Sequence, residues 1–122
     1  MIPTTRLHSR LVSPEWLVVA GCVAVLVMWS LPPLLGVWVG AMTTAITLVG
    51  GAGAGVVYHL RLHAVLAPEG LRAGWWWHPT REHPRLDRVG RRIVMPWFYA
   101  GAAGCAGAII GCIGFLSAAL RL

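Results

Sequence analysis

Four histidines, His59, His63, His78 and His83, stand within 25 residues, with Glu69 and Glu82 between them. His59 and His63, in the stretch HLRLH, are four apart, a spacing that puts two imidazoles on one helix face as many metal sites require. With a carboxylate or two, such a set can hold zinc or copper. Against this chemistry, Arg61 sits between the first pair, and the steps His78-Pro79 and His83-Pro84 match no known ligand motif. The sequence therefore predicts no resident metal, and these four histidines are the candidates should one be bound. No nucleophile motif, phosphate loop or paired-carboxylate pattern accompanies them, so the chain is not expected to be an enzyme. Cys22, Cys105 and Cys112 all lie in apolar runs, which supports neither a disulfide framework nor a cysteine zinc site.

The same region carries Trp75-Trp76-Trp77, with Arg72 before it and Arg81 and Arg85 after it. Tryptophan is enriched where lipid headgroups meet hydrocarbon, because its ring is largely apolar and its N–H needs a wet partner. Tryptophan and arginine are also the residues richest in protein hot spots. These six residues, together with Trp16 and Trp97 at the edges of apolar runs, are read as the surface that meets headgroups and a partner. Pro68-Glu69-Gly70 supplies a turn that lets the loop fold back, and Pro84 to Arg92 is read as a short amphipathic helix leading to the next apolar run.

The elements that position this loop follow from hydropathy. The chain is 57% hydrophobic and only 11% charged, against about 25% charged in a soluble domain. No Asp, Glu, Lys, Arg or His occurs from Leu17 to Tyr58 or from Ile93 to Leu120. Uncharged runs longer than about 18 residues read as membrane spans. The first run is long enough for two, with Pro32-Pro33 as the break between them. The expected fold is an all-α integral membrane protein with three transmembrane helices, at about 14–31, 34–58 and 94–120. It forms one membrane domain over residues 1–122, with an N-terminal arm at 1–13 and a loop at 59–93. Ser13-Pro14-Glu15 has the cap, N1 proline and early acid of a helix start. Met95-Pro96-Trp97 is read as a similar start. Arg6 and Arg10 before an apolar run look like a signal peptide, and Val19-Ala20-Gly21-Cys22 looks like a lipoprotein box. No small-residue site closes the run, however, and the apolar residues continue past the cysteine, so an uncleaved first span is expected.

Seven arginines lie between His59 and Arg92, and two lie in the N-terminal arm, whereas the Pro32-Pro33 turn has none. The positive-inside rule then predicts a cell (inner) membrane location with the N-terminus and long loop cytoplasmic and the C-terminus extracytoplasmic. The formal net charge of +6 sits beside the membrane, where anionic headgroups rather than nucleic acid are the expected counter-charge.

Small residues recur at helical spacing. Gly36 and Gly40, Gly51 and Gly55, and the series Ala103, Gly107 and Gly111 each repeat every four residues. In lipid, helices associate by close backbone approach, which small residues permit. These stripes serve either the chain's own helices or another subunit, a lipid, a quinone or a pigment. No ionisable residue lies at membrane depth, which argues against a pump or ion-coupled transporter. The three-span layout resembles that of the small membrane anchors of respiratory dehydrogenases, but no intramembrane histidine is present to hold their haem. The expected role is a small non-catalytic subunit that stabilises or positions a larger inner-membrane complex, with no cofactor of its own. Two alternatives are a metal- or quinone-linked anchor of a redox or photosynthetic complex, and a self-assembling pore or export component.

Overall fold

The computed structural model describes residues 14–122. Helix α1 spans Pro14–Ser30, α2 spans Pro33–Leu66 and α3 spans Arg88–Ala119, with 3₁₀ turns at Ala67–Glu69 and Pro79–Arg85. No strand occurs among the described residues. The Ser13 cap and the arm carrying Arg6 and Arg10 lie outside them. α2 and α3 are each long and apolar enough to cross a membrane. α1 is equally apolar but has 17 residues, about 26 Å of helix.

The boundaries of α2 and α3 differ from the expected ones. α2 continues past Tyr58 to Leu66, and α3 begins at Arg88 rather than near 94, so the connection is 67–87 and not 59–93. Charge at His59, Arg61 and His63 can end an apolar run without ending a helix. Here the two helices continue because they bury each other. Tyr58, Leu62 and Leu66 recur every four residues on α2 and close a core with Leu86 and Val94. The Asp87 carboxylate starts α3 by accepting a hydrogen bond from the Gly90 amide at 2.6 Å, a side-chain cap. Pro96 accordingly falls inside α3 and not at its start. The separate amphipathic helix expected over Pro84 to Arg92 is likewise replaced by the 3₁₀ turn and the first turn of α3.

α2 and α3 run antiparallel in contact from Gly36 beside Ala118 to Val65 beside Gly90. Between these ends the contact is backbone against backbone. A Cβ on Gly51 would lie 2.9 Å from the Gly104 Cα, and one on Gly40 would lie 2.5 Å from the Phe115 nitrogen. A Cβ on Gly111 would meet the Thr44 nitrogen at 2.7 Å, and one on Gly107 the Thr47 side chain, also at 2.7 Å. Thr44 Oγ1 donates to the Gly40 carbonyl at 2.8 Å and Thr47 Oγ1 to the Thr43 carbonyl at 2.6 Å, so these hydroxyls are satisfied within α2. The α3 stripe against α2 is therefore Gly101, Gly104, Gly107, Gly111 and Ala118, while Gly114 faces α1. Ala103, expected in it, is exposed on the outer face, because four-residue steps from Gly111 drift around a helix of 3.6 residues per turn. Gly55 meets no neighbour through its own Cβ direction, but its nitrogen lies 3.5 Å from a Cβ built on Gly101.

α1 packs on this pair through few residues. Met28 lies against Gly114, and Gly21 faces Ile110, so α1 runs parallel to α3. At its end, Arg121 donates from Nη1 to the Trp29 carbonyl at 2.6 Å and sits 4.6 Å from the centroid of the Trp29 ring. A cation on the last carbonyls of a helix is favourable for both charge and dipole.

Candidate functional site

The connection 67–87 folds into a cap over the ends of α2 and α3. Gly70 and Gly74 turn the chain with φ of 79° and 74°, conformations that side chains disfavour. These turns aim the tryptophans in different directions. Trp75 is half-buried, packs on the Tyr58–Leu62–Leu66 core and stands 5.6 Å from the His63 ring. Trp76 is 49% exposed with its ring 4.6 Å from His59. Trp77 is 81% exposed. The expected surface trio is thus one structural residue and two surface ones. Trp16 on α1 and Trp97 on α3 are exposed.

The charged residues divide in the same way. Glu82 is fully buried, at 0% exposure. Its Oε2 accepts from Arg85 Nη1 at 2.6 Å, and Arg72 Nε lies 3.9 Å from Oε1. Arg85 also donates to the Gly70 carbonyl at 2.9 Å and faces the Glu69 carboxylate at 3.7 Å. Only 22% of the Arg85 side chain is exposed, so this arginine, expected at the outer surface, is turned inward as the strut of the cap. A buried carboxylate needs such a partner, because an uncompensated charge out of water is costly. Arg72 and Arg81 remain exposed, as expected.

The four histidines do not converge. Both ring nitrogens of His59 face carbonyls, Gly55 O at 2.9 Å and Trp76 O at 3.2 Å, so both are covered by protein atoms and neither is open to a metal. His83 Nε2 is 2.6 Å from the Tyr58 hydroxyl. His63 lies beside the Trp75 ring, and His78 lines a separate pocket with Arg72 and Arg81. Among the described residues no three His, Cys, Asp or Glu side chains gather as a metal group. What His59, His63 and His83 do is tie the cap to α2, a role the i, i+4 spacing alone did not indicate.

Burial, and secondarily the charge of Arg91, hold the His83 imidazolium pKa below its ordinary value. The unfolded cap then binds more protons than the folded one once pH falls below about 6.5. The His83 contribution is fully present above that pH and is lost as pH falls through the lower folded-state value. Amide exchange over residues 67–87 is expected to accelerate from pH 7 to pH 5, after correction for intrinsic rates, and His83→Gln should flatten that dependence. An equally steep dependence in the variant would assign it to another group.

On the outer flank of the helix pair, Thr44, Leu48, Cys105, Ile109, Cys112 and Leu116 border an apolar groove of about 560 Å³. Cys105 and Cys112 share this face, as their spacing of seven predicts. Comparison with protein-family models, curated proteins and solved structures finds no match to the chain, so the functional reading rests on this geometry.

Proposed function

We propose that the chain is a small, non-catalytic integral membrane subunit that positions or stabilises a larger inner-membrane complex through its cap. The observation that carries this reading is the contrast between the two ends of the cap. Its inner side is closed by the Glu82–Arg85 pair and the Tyr58–His83 contact, while Trp76, Trp77, Arg72 and Arg81 are left outward. Exposed aromatic and guanidinium groups on a rigid base are suited to docking, since little side-chain entropy is lost when they bind. The helices outside the cap expose large apolar side chains such as Trp38, Ile46, Val49 and Ile109, which suits lipid or neighbouring subunits and not water.

In this reading α1 is a third span, short enough to cross with little tilt, and its parallel course beside α3 supports it. The arginine distribution orients the cap and the N-terminus to the cytoplasm and Leu122 to the outside. Anionic headgroups are the counter-charge of the cap. A self-assembling pore built on the glycine stripes is less well supported, because Gly36, Gly40, Gly51, Gly107 and Gly111 are spent within the chain.

Replacing Trp76 and Trp77 together by Ala is expected to release co-purifying membrane subunits in mild detergent while the cap stays protease-resistant. Each lost aromatic anchor should cost on the order of 2 kcal/mol of binding. Retention of every partner by the double variant would sink the docking role. Labelling of an introduced Leu122→Cys thiol in intact cells tests the orientation. Reaction only after the cytoplasmic side is opened would reverse it.

A further inference from the structure

Beside the Glu82–Arg85 pair, Arg72, Gly74, Trp75, His78, Arg81 and Glu82 line a pocket of about 110 Å³. One feature of this pocket is not used by the cap itself. Glu82 Oε1 is buried and has no hydrogen-bond partner among the described residues; the 3.9 Å separation from Arg72 Nε is too long for one. A buried carboxylate oxygen without a donor is costly. At the mouth of the same pocket, Arg81 is exposed and makes no ion pair or side-chain hydrogen bond among the described residues. A single water needs roughly 10–15 Å³ of such space, so the pocket has room for a group of several atoms.

The charges decide what kind of group. The pocket lining holds two guanidiniums, Arg72 and Arg81, against the one carboxylate of Glu82, and the adjoining Arg85 and Glu69 cancel, leaving one positive charge unmatched. A ligand that completes the site brings one negative charge for Arg72 and Arg81 and one neutral hydrogen-bond donor for Glu82 Oε1. An ammonium donor would leave one positive charge unmatched again, whereas a hydroxyl leaves none. Guanidiniums suit phosphate oxygens in both geometry and charge. We propose that this pocket binds a singly charged phosphodiester bearing a polyol, with the phosphate on Arg72 and Arg81 and a hydroxyl donating to Glu82 Oε1. The source is a phosphatidylglycerol-type headgroup, a choice that rests on the cap lying at the membrane surface. A soluble glycerophosphodiester has the same chemistry.

The full chain, purified in mild detergent, is offered phosphatidylglycerol, phosphatidic acid and phosphatidylethanolamine of identical acyl chains, and retained lipid is read by native mass spectrometry. Phosphatidylglycerol should be retained about tenfold better than phosphatidylethanolamine, the effect of one charge-assisted hydrogen bond, and better than phosphatidic acid, which lacks the hydroxyl. Arg81→Gln, which removes no internal contact of the cap, should abolish the preference without opening the cap to protease. Equal retention of phosphatidylglycerol and phosphatidic acid would mean that charge alone is read, and the proposal falls. It also falls if Arg81→Gln retains phosphatidylglycerol as wild type does. Displacement by soluble glycerophosphoglycerol at equal concentration supports the pocket but assigns it to a soluble ligand and removes the membrane-surface orientation. Absence of binding by either source removes the pocket and leaves partner docking by Trp76 and Trp77 standing on its own test.

Discussion

Gly104→Leu should prevent α2 and α3 from closing on each other. A Cβ at Gly104 meets the Gly51 backbone, with the Gly51 nitrogen and the Thr47 carbonyl oxygen both at 2.8 Å. These are backbone atoms of a continuous helix and cannot rotate away as a side chain can. The helices must separate, and the threonine and glycine contacts on either side are lost with them. Overpacking in a core costs about 1–3 kcal/mol when neighbours can adjust; here the rigid backbone on both sides places the cost at about 3 kcal/mol or more. Gly53→Ala is the matched control, because nothing lies within 4 Å of a Cβ at that position, and alanine is the better helix former by about 1 kcal/mol in water. In detergent melts followed by size exclusion, Gly104→Leu should unfold far below wild type, and Gly53→Ala at or slightly above it. Coincident melting of the two variants would mean that the close α2–α3 approach contributes nothing to stability.

That the stripes on α2 and α3 exist was readable from spacing, because glycine at every fourth position has one physical use in apolar helices, close approach. Which residues of α3 belong to the stripe was not. A second four-residue step back from Gly111, through Gly107 to Ala103, leaves the contact line, whereas the three-residue steps from Gly107 to Gly104 to Gly101 keep to it. Only the crossing of the two helices, which depends on every contact between them, selects among these series. Likewise the sequence located the apolar parts of α2 and α3 but not their ends. Hydropathy marks where water begins; the helices end where their mutual burial ends, at Leu66 and Arg88. The recurrence of Tyr58, Leu62 and Leu66 beneath the charges was the available signal.

The cap was legible as chemistry but not as architecture. Trp75-Trp76-Trp77 and the flanking arginines did mark the region. Adjacent side chains in an irregular segment, however, point wherever the backbone turns, and the turns at Gly70 and Gly74 sent Trp75 inward and Trp77 outward. The inward role of Arg85 had a fainter signal, its place three residues after Glu82, a separation at which opposite charges meet on a helical turn. Spacing alone does not distinguish such a pair on the surface from one whose carboxylate is fully buried.

Enclosure makes that pair the most consequential one in the cap. Arg85→Met keeps the length of the side chain and removes its charge. Glu82 is then left with Arg72 at 3.9 Å as its one ion-pair neighbour among the described residues, and the Gly70 carbonyl loses its donor. Breaking a buried pair from one side costs 3–5 kcal/mol in enclosed sites; with Arg85 partly exposed, the expected cost is on the order of 3 kcal/mol. It falls on docking of the cap, since the α2–α3 glycine contacts lie elsewhere. Residues 67–87 should therefore open locally, and trypsin should cut after Arg72 and Arg81 about a hundredfold faster while the helices stay folded. Replacing both partners, Glu82→Leu with Arg85→Met, removes the stranded charge and should recover most of the resistance, because a buried ion pair exchanged for apolar volume is often neutral. The shortfall that remains measures what Arg85 gives to the Gly70 carbonyl and to Glu69. Arg81→Met, which breaks no internal pair, should cut no faster than wild type at Arg72. If Arg85→Met is no more sensitive there than Arg81→Met, or if the double variant is as sensitive as the single, the buried pair is not what holds the cap closed.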